Sequence, residues 1–110
     1  MTNVGDGLSA DRGNWKFSGA VVDSFDDHVS KSVPLYREGH ELICDMSDFF
    51  IKPDSQCYEI GCSTGTLTLK LADHNRGKPG ASFIGIDIEV DMIAKAEDKA
   101  TKLPDLNVSF

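Results

Sequence analysis

The stretch CYEIGCSTGTLTLKLA, residues 57–72, decides the fold of this chain. Its first part, with Gln56 before it, is short and rich in β-formers, which predicts a strand, and its last part has the apolar spacing of a helix. Gly61 and Gly65 stand where the strand turns into the helix. Glycine allows such a sharp turn and leaves room for a ligand to approach the main chain. We therefore expect a binding turn at this point.

The sequence that follows repeats the alternation of strand and helix. The segment ASFIGID, residues 81–87, predicts a second strand, and LNVSF at the end of the chain begins a third. Between them, residues 90–103 predict a helix with one apolar face, formed by Met92, Ile93, Ala96, Ala100 and Leu103. Strand, helix, strand, helix, strand predicts an α/β fold, a Rossmann-like doubly wound parallel sheet with right-handed crossovers.

The first third of the chain is predicted to be helical after a loose tail at residues 1–14. Phe25, Val29 and Val33 lie four apart, and Ser24 with Asp27 resembles a capping box for this helix. Pro34 suits the first turn of a second helix. That helix carries apolar residues on one face, namely Leu35, Leu42, Ile43, Met46, Phe49 and Phe50.

Composition limits the class of protein. The chain has 110 residues, of which 40% are hydrophobic and 26% charged, and this is ordinary for one small globular domain. No apolar run is long enough to span a membrane, and residues 1–14 lack the features of a secretory signal, so we expect a cytoplasmic protein. The net charge is −7 with scattered basic residues, which argues against a nucleic-acid surface in this span.

Cysteine and histidine indicate no metal site. Cys44, Cys57 and Cys62 are odd in number and lack the C-x-x-C spacing, so reduced thiols are expected and no metal is predicted. The three histidines have no partners at metal-ligand or triad spacing. We expect them at the surface or at helix ends.

An acidic residue, Asp87, ends the second predicted strand. A neighbouring parallel strand would bring its carboxylate to the same edge of the sheet as Gly61, where it could accept both hydroxyls of a ribose. The turn itself reads E-x-G-x-x-x-G, with serine at position 63, and so differs from the G-x-G-x-x-G fingerprint of dinucleotide sites. The pattern favours a nucleoside ligand without a pyrophosphate.

The two segments YEIGCSTGTLTLKLA and FIGIDIEVDMIAKA resemble motif I and its acidic successor in class I S-adenosylmethionine-dependent methyltransferases. Within that superfamily the chain is most similar to the carboxy-S-adenosylmethionine synthase family of tRNA wobble-uridine modification. That family has a similar G-C-S-x-G turn, a similar I-D-x-x-x-x-M-I segment and a similar S-V-P-x-Y, here within KSVPLY at residues 31–36. The resemblance runs from about Phe25 to the end of the chain and implies S-adenosylmethionine, or its carboxy derivative, as cofactor.

The resemblance implies that Gly61, Cys62 and Ser63 line the methionine portion of the cofactor. Tyr36 would reach over it, and Glu59 would orient its amino group. Each role has an alternative: Glu59 could cap backbone N–H groups, Tyr36 could be a core residue, and Cys62 could simply be a small side chain in a tight turn.

At the nucleoside end, the resemblance implies that Asp87 holds the ribose and that Ile88 flanks the adenine. Met92 could contact the adenine, although core packing is its more ordinary role. Gly65 completes the turn; both glycines could also serve the geometry of the turn alone.

Three strands make only half of a doubly wound sheet, and the outer edge of the first strand would have no partner. We expect residues 1–14 to be a tail, residues 15–53 to form helices covering the cofactor site, and residues 54–110 to be the first half of the cofactor-binding domain. A longer protein, a truncation completed by another chain, or a homo-oligomer would cover the edge. No catalytic residue can be named.

Three functions remain open. The first is a methyltransferase domain whose substrate is undetermined. The second is carboxy-S-adenosylmethionine synthase, which would use a small acidic donor such as prephenate. The third is a truncated, non-catalytic nucleoside-binding module.

Overall fold

The computed structural model describes residues 9–11, 14–16 and 20–110. Two short strands, β1 (Ser9–Asp11) and β2 (Asn14–Lys16), pair antiparallel. The predicted tail is therefore corrected at residues 9–11 and 14, and the predicted helical region 15–53 is corrected at residues 15 and 16. At these positions local strand pairing prevails over the loop-like composition of the segment. The rest of the tail, residues 1–8 and 12–13, lies outside the described residues.

Two helices follow, α1 (Ala20–Ser32) and α2 (Tyr36–Ser47). Because α1 begins at Ala20, Ser24 lies inside the helix, and the predicted capping box is wrong. Asp27 instead accepts a hydrogen bond from Lys31 Nζ at 3.0 Å, one turn further along.

The connection between the two helices differs from the sequence prediction. Leu35 has a left-handed backbone conformation, with φ 59°, and it turns the chain before α2 begins. Pro34 therefore lies in the connection and not in the first turn of the helix. A non-glycine residue in this conformation is strained, so the surrounding structure must hold it in place.

The remaining elements build the expected parallel sheet. Strands β3 (Gln56–Ile60), β4 (Ser82–Ile86) and β5 (Val108–Ser109) lie in that order, and both neighbouring pairs are parallel. Helix α3 (Thr66–His74) connects β3 to β4, and α4 (Val90–Thr101) connects β4 to β5. The predicted α/β alternation is confirmed.

One face of this sheet carries the core. Phe83 of β4 packs with Leu71 and Ala72 of α3 and with Cys44 of α2, and Cys57 and Val108 extend the cluster on the neighbouring strands. Burying these side chains supplies the main stabilisation of the fold. Of the predicted apolar face of α4, Met92 and Ala96 are buried, whereas Leu103 is 38% exposed.

The opposite face of β3 and β4 is open to solvent in the described part of the chain. Tyr58 and Ile60 are 55% and 77% exposed, and they lie beside Ile84 and Ile86 in the register. Within the described residues no strand pairs with the outer edge of β3, as expected for half of a doubly wound sheet.

Helix α2 also presents apolar side chains to solvent. The six residues predicted to share its apolar face are all exposed, and Leu35, Phe49 and Phe50 lie outside the helix. Instead α2 buries Cys44, which packs in the core cluster with Phe83, and Ser47, whose Oγ accepts a hydrogen bond from Asn75 of the segment after α3. No helix in the described part of the chain is both long and apolar enough to cross a membrane.

Candidate functional site

The turn between β3 and α3 has an unusual backbone. Gly61, Ser63 and Gly65 have φ values of 77°, 52° and 79°, so every second residue of the turn is in the left-handed region. The N–H groups of Gly61 and Cys62 both donate to the Ile86 carbonyl, at 2.7 and 2.9 Å. These bonds fix the turn against the carboxyl end of β4. Glycine is needed at two of its positions, and Ser63 is strained.

The two glycines differ in what surrounds them. A Cβ placed on Gly61 would meet no protein atom within 4 Å, so this position faces open space. A Cβ on Gly65 would lie 2.6 Å from the Phe110 ring and 2.9 Å from Ala96 Cβ. Gly61 therefore keeps a cradle open, whereas Gly65 allows the turn to pack closely against α4 and the end of the chain.

Asp87 joins the two strand ends. Its Oδ2 accepts a hydrogen bond from the Ser63 N–H at 2.8 Å, and its Oδ1 accepts one from the Glu89 N–H at 2.9 Å. An ionised carboxylate has about four lone-pair sites, so each oxygen keeps one for a further donor. The half-buried side chain thus holds the strained turn and can still accept two hydroxyl groups.

Glu59 lies on the other side of the turn, on the helix-covered face of β3. Its Oε1 accepts a hydrogen bond from Thr68 Oγ1 at 2.5 Å, and the backbone N–H of Thr68 adds another. Burial raises the pKa of Glu59 above its ordinary value, the bonds from Thr68 partly offset this, and the charge of Asp87 adds to the rise. Glu59 therefore caps a backbone N–H in the first turn of α3, whereas the predicted alternative was a cap on the N–H groups of the glycine turn.

Two small cavities meet at Ser63. The Glu59 cavity, about 140 Å³, is bounded by the turn, Glu59, Tyr36 and His40. The Asp87 cavity, about 130 Å³, is bounded by Asp87, Glu89 and Met92. Phe25 and Ser63 line both, so the two cavities form one crevice along the carboxyl ends of β3 and β4. Ligands of open α/β sheets bind in such crevices.

Tyr36 lies at the outer wall of the Glu59 cavity. Its half-buried ring contacts that of His40, with the centroids 4.2 Å apart. Burial raises the pKa of Tyr36, and the nearby charges of Asp26 and Glu59 add to the rise. A hydrogen bond with the Thr66 side chain partly offsets this rise.

Cys62 is buried in the turn. Burial raises the pKa of its thiol to about 11, and the charges of Glu59 and Asp87 contribute. A protonated thiol is a poor nucleophile, which agrees with the role of a small side chain in a tight turn. In the described part of the chain, no three His, Cys, Asp or Glu side chains are placed to hold a metal ion.

The structure brings together most of the residues predicted for the site. Around the two cavities lie Tyr36, Glu59, Gly61, Cys62, Ser63, Asp87 and Met92. Gly65 lies behind the turn and lines neither cavity, and Ile88 is 93% exposed at the end of β4. Met92 is almost fully buried, so it serves the core as well as the cavity wall.

Sequence reasoning missed several residues of the crevice. Phe25 lines both cavities but was expected only on the apolar face of a helix. His40 was assigned to the surface or a helix end. Thr64 lies in the turn and Thr66 directly follows it, so their positions in the sequence could have indicated that they line the crevice.

Comparison with known proteins agrees with this geometry. The sequence model of a family described as "Methyltransferase domain" matches residues 51–110, which contain the turn, Glu59 and Asp87. The chain belongs to this methyltransferase domain family.

Similar proteins are named carboxy-S-adenosyl-L-methionine synthase. The one from Methylococcus capsulatus is 37% identical over 76% of this chain and 34% of its own length. The one from Staphylococcus epidermidis is 38% identical over 71% of the chain and 34% of its own length. The one from Shewanella amazonensis is 33% identical over 89% of the chain and 42% of its own length. The chain thus spans between a third and a half of the length of these relatives.

A solved structure has the same fold. The crystal structure of a SAM dependent methyltransferase from Aquifex aeolicus superimposes with a TM-score of 0.60 at 22% identity, covering 86% of this chain and 46% of that one. The likeness supports the Rossmann-like assignment of the sheet and its helices.

Proposed function

We propose that this chain binds S-adenosylmethionine or S-adenosylhomocysteine across the carboxyl ends of β3 and β4, as the cofactor-binding part of a methyltransferase-like transferase. The observation that carries the proposal is the crevice at Ser63, with Glu59 at one end and Asp87 at the other. A nucleoside with an amino acid tail needs a hydroxyl acceptor at one end and a partner for an amino group at the other.

The residues of the crevice fit such a ligand. Gly61 leaves open the space that a side chain would fill, and Asp87 keeps lone pairs for two ribose hydroxyls. When bound, S-adenosylmethionine supplies a methyl group on a positively charged sulfur, and two nearby carboxylates favour a cation. Tyr36 would cover the methionine tail, Cys62 and Ser63 would line it, and Ile88 and Met92 would flank the adenine. Gly65 supports the turn from behind.

The division of the chain is part of the proposal. Residues 15–53 would cover the cofactor, and residues 54–110 would form the first half of its binding domain. Support comes from the cavity walls, because Phe25 of α1 and Tyr36 and His40 of α2 stand over the turn that residues 61–65 form. Residues 1–14 have no assigned role.

A second candidate is carboxy-S-adenosylmethionine synthase, with a small acidic donor such as prephenate. It is supported by the names of the relatives, which are 33% to 38% identical. A role in tRNA modification and a cytoplasmic location belong to this candidate. Mass spectrometry of the ligand that copurifies with the full-length protein separates the two: the mass of S-adenosylmethionine favours the methyltransferase, that mass plus a carboxylate favours the synthase, and no ligand favours a non-catalytic module.

Binding is tested by calorimetric titration of S-adenosylhomocysteine into the full-length protein and its Asp87→Ala variant. The variant loses the acceptor of two hydroxyls and should bind about 1.5–3 kcal/mol more weakly. Asp105→Ala is the control, because Asp105 pairs with Arg76 at the surface away from the crevice. Unchanged affinity of Asp87→Ala would remove Asp87 from the site, and no binding by the wild type would refute the proposal.

Self-association of residues 1–110 is a further part of the proposal. Exposed apolar side chains on the open sheet face, at Tyr58, Ile60 and Ile86, and the unpaired edge of β3 support it. In analytical ultracentrifugation these residues alone should form dimers or larger species. A compact monomer with a sharp melting transition would contradict this expectation.

A further inference from the structure

An ion pair ties the first helix to the glycine turn. Lys99 Nζ of α4 lies 2.7 Å from Asp26 Oδ2 of α1, and it donates to the hydroxyls of Thr64 and Thr66 at 3.1 and 3.0 Å. Both hydroxyls in turn donate to Asp26 Oδ1. We call Asp26, Thr64, Thr66 and Lys99 the Asp26 cluster. It joins three helices at one edge of the crevice.

The Asp26 cluster is better shielded than an ordinary surface pair. Thr64 is 1% exposed, and the side chains of Lys99 and Asp26 are 22% and 42% exposed. Burial acts to raise the pKa of Asp26, but the hydrogen bonds from Lys99 and the threonines outweigh it, so the pKa lies below its ordinary value. The carboxylate is therefore ionised and paired at neutral pH.

The residue before Asp26 connects this cluster to the ligand crevice. Phe25 lines both the Glu59 cavity and the Asp87 cavity, and it is the one residue of α1 that does so among those described. Thr64, the partner of Asp26, belongs to the strained turn that forms the floor. The cluster thus fixes a wall and the floor of the crevice relative to each other.

We propose that Asp26 and Lys99 are positioning residues for the cofactor: their ion pair holds α1 against the glycine turn so that Phe25 closes the crevice. This inference rests on the proposed binding of S-adenosylmethionine or S-adenosylhomocysteine. The physical reason is that the ligand contacts both Phe25 and the glycine turn. It binds with its full affinity only when these two parts of the crevice are already aligned. If the pair is broken, only the fraction of molecules with α1 in place is ready to bind.

The test is calorimetry with S-adenosylhomocysteine on the full-length protein and the variants Asp26→Asn, Lys99→Gln and the double variant. Each single variant should bind about tenfold more weakly, and the double variant should be no worse than either single one, because all three lose the same pair. Lys99→Arg keeps the charge and should stay within about threefold of the wild type.

The matched control is Asp27→Asn. It removes the same charge from the neighbouring position of α1, where the carboxylate pairs with Lys31 at the surface, 3.0 Å away. Its affinity should equal that of the wild type. If Asp26→Asn does not fold, Lys99→Gln breaks the same pair from α4 and carries the same expectation.

The outcomes separate this inference from the proposed function. Melting temperatures without ligand are recorded for every variant, because a brace that served only stability would lower them and leave the affinity unchanged. That result, or equal losses in Asp26→Asn and Asp27→Asn, would overturn the inference. No binding by the wild type would instead refute the proposed function and the inference with it. Loss of affinity in Asp26→Asn and Lys99→Gln, with the affinity of Asp27→Asn unchanged, would support the inference.

Discussion

The two ends of the parallel sheet both carry cavities, but their chemistry differs. The cavity at the amino ends of β4 and β5 has a volume of about 230 Å³ and is lined by residues such as Asn75, Lys78 and Asp105. The crevice at the carboxyl ends consists of two smaller cavities of about 140 and 130 Å³. Volume therefore does not distinguish the two ends, because the two cavities at the carboxyl ends form one crevice.

The polar groups at the amino end are already occupied by one another. The Asn75 amide donates to Ser47 Oγ and to the Leu71 carbonyl, its Oδ1 accepts from Lys78 Nζ, and Arg76 pairs with Asp73 and Asp105. At the carboxyl end, Asp87 keeps free lone pairs beside a left-handed turn and two helix N-termini. A ligand needs partners that are unsatisfied, and these lie at the carboxyl end.

The largest expected effect comes from filling the cradle at that end. Gly61→Val places a branched side chain in the open space and forces it into left-handed backbone, which costs about 1–2 kcal/mol by itself. Together with the collision, affinity for S-adenosylhomocysteine should fall by about a hundredfold or more. Isothermal titration calorimetry measures it, while far-UV circular dichroism should stay helical.

Gly77→Val is the matched control at the opposite end of the sheet. A Cβ on Gly77 also meets no atom within 4 Å, and Gly77 is not among the glycines of positive φ. This variant should bind normally. Full binding by Gly61→Val would mean that the turn is only structural, and the contrast between the two ends would disappear.

A change at the amino end should affect stability and leave binding intact. Asn75→Ala removes a buried amide and leaves its partners without their hydrogen bonds, so the free energy of unfolding should fall by about 1–3 kcal/mol. Urea denaturation of the full-length protein measures this, and the dissociation constant of S-adenosylhomocysteine should change by less than about twofold. A large loss of affinity with little loss of stability would place the ligand at the amino end.

The smallest effect concerns Glu59, and it depends on pH. Its raised pKa means that the folded chain holds this proton more tightly than the unfolded chain, which stabilises the fold below the ordinary value of 4.5. That contribution is lost as the pH rises through the folded pKa. Glu59→Gln removes the buried charge, so at pH 7 it should raise the melting temperature by about 2 °C. The gain should shrink towards pH 4.

The same substitution should weaken binding, because a neutral amide is a poorer partner for the amino group of the ligand. An increase of about fivefold in the dissociation constant is expected at pH 7. Glu97→Gln, on the exposed side of α4, is the control for both measurements. If the Glu59→Gln variant were less stable than the wild type but bound S-adenosylhomocysteine with unchanged affinity, Glu59 would act as a helix cap alone.

The sequence was informative for the parallel sheet and its turn, whereas the local signals at Ser24 and Pro34 gave wrong positions for the starts of the first two helices. The strand of residues 56–60, the turn with its two glycines and Asp87 at the next strand end follow from residue types and spacing, and so does the parallel order. Ser63 was predicted by this reasoning, and Thr64 and Thr66 were within its reach. These residues lie in the turn or directly after it, and their positions in the sequence alone show this.

What could not be predicted depends on tertiary packing. Phe25 reaches the crevice because α1 lies across the turn, and no local pattern specifies that crossing. The pairing of Asp26 with Lys99 joins residues 73 positions apart. The left-handed Leu35 also follows from the way α1 and α2 are arranged, since local preference disfavours it.

The central claim is tested most directly by a crystal structure of the full-length protein with S-adenosylhomocysteine. The account predicts ribose hydroxyls within hydrogen-bond distance of both Asp87 oxygens, the amino acid tail over Gly61 with its amino group facing Glu59, and Phe25 against the ligand. Electron density for the ligand in the cavity beside Asn75 and Asp105, or a ligand at the carboxyl end that makes no contact with Asp87, would contradict it.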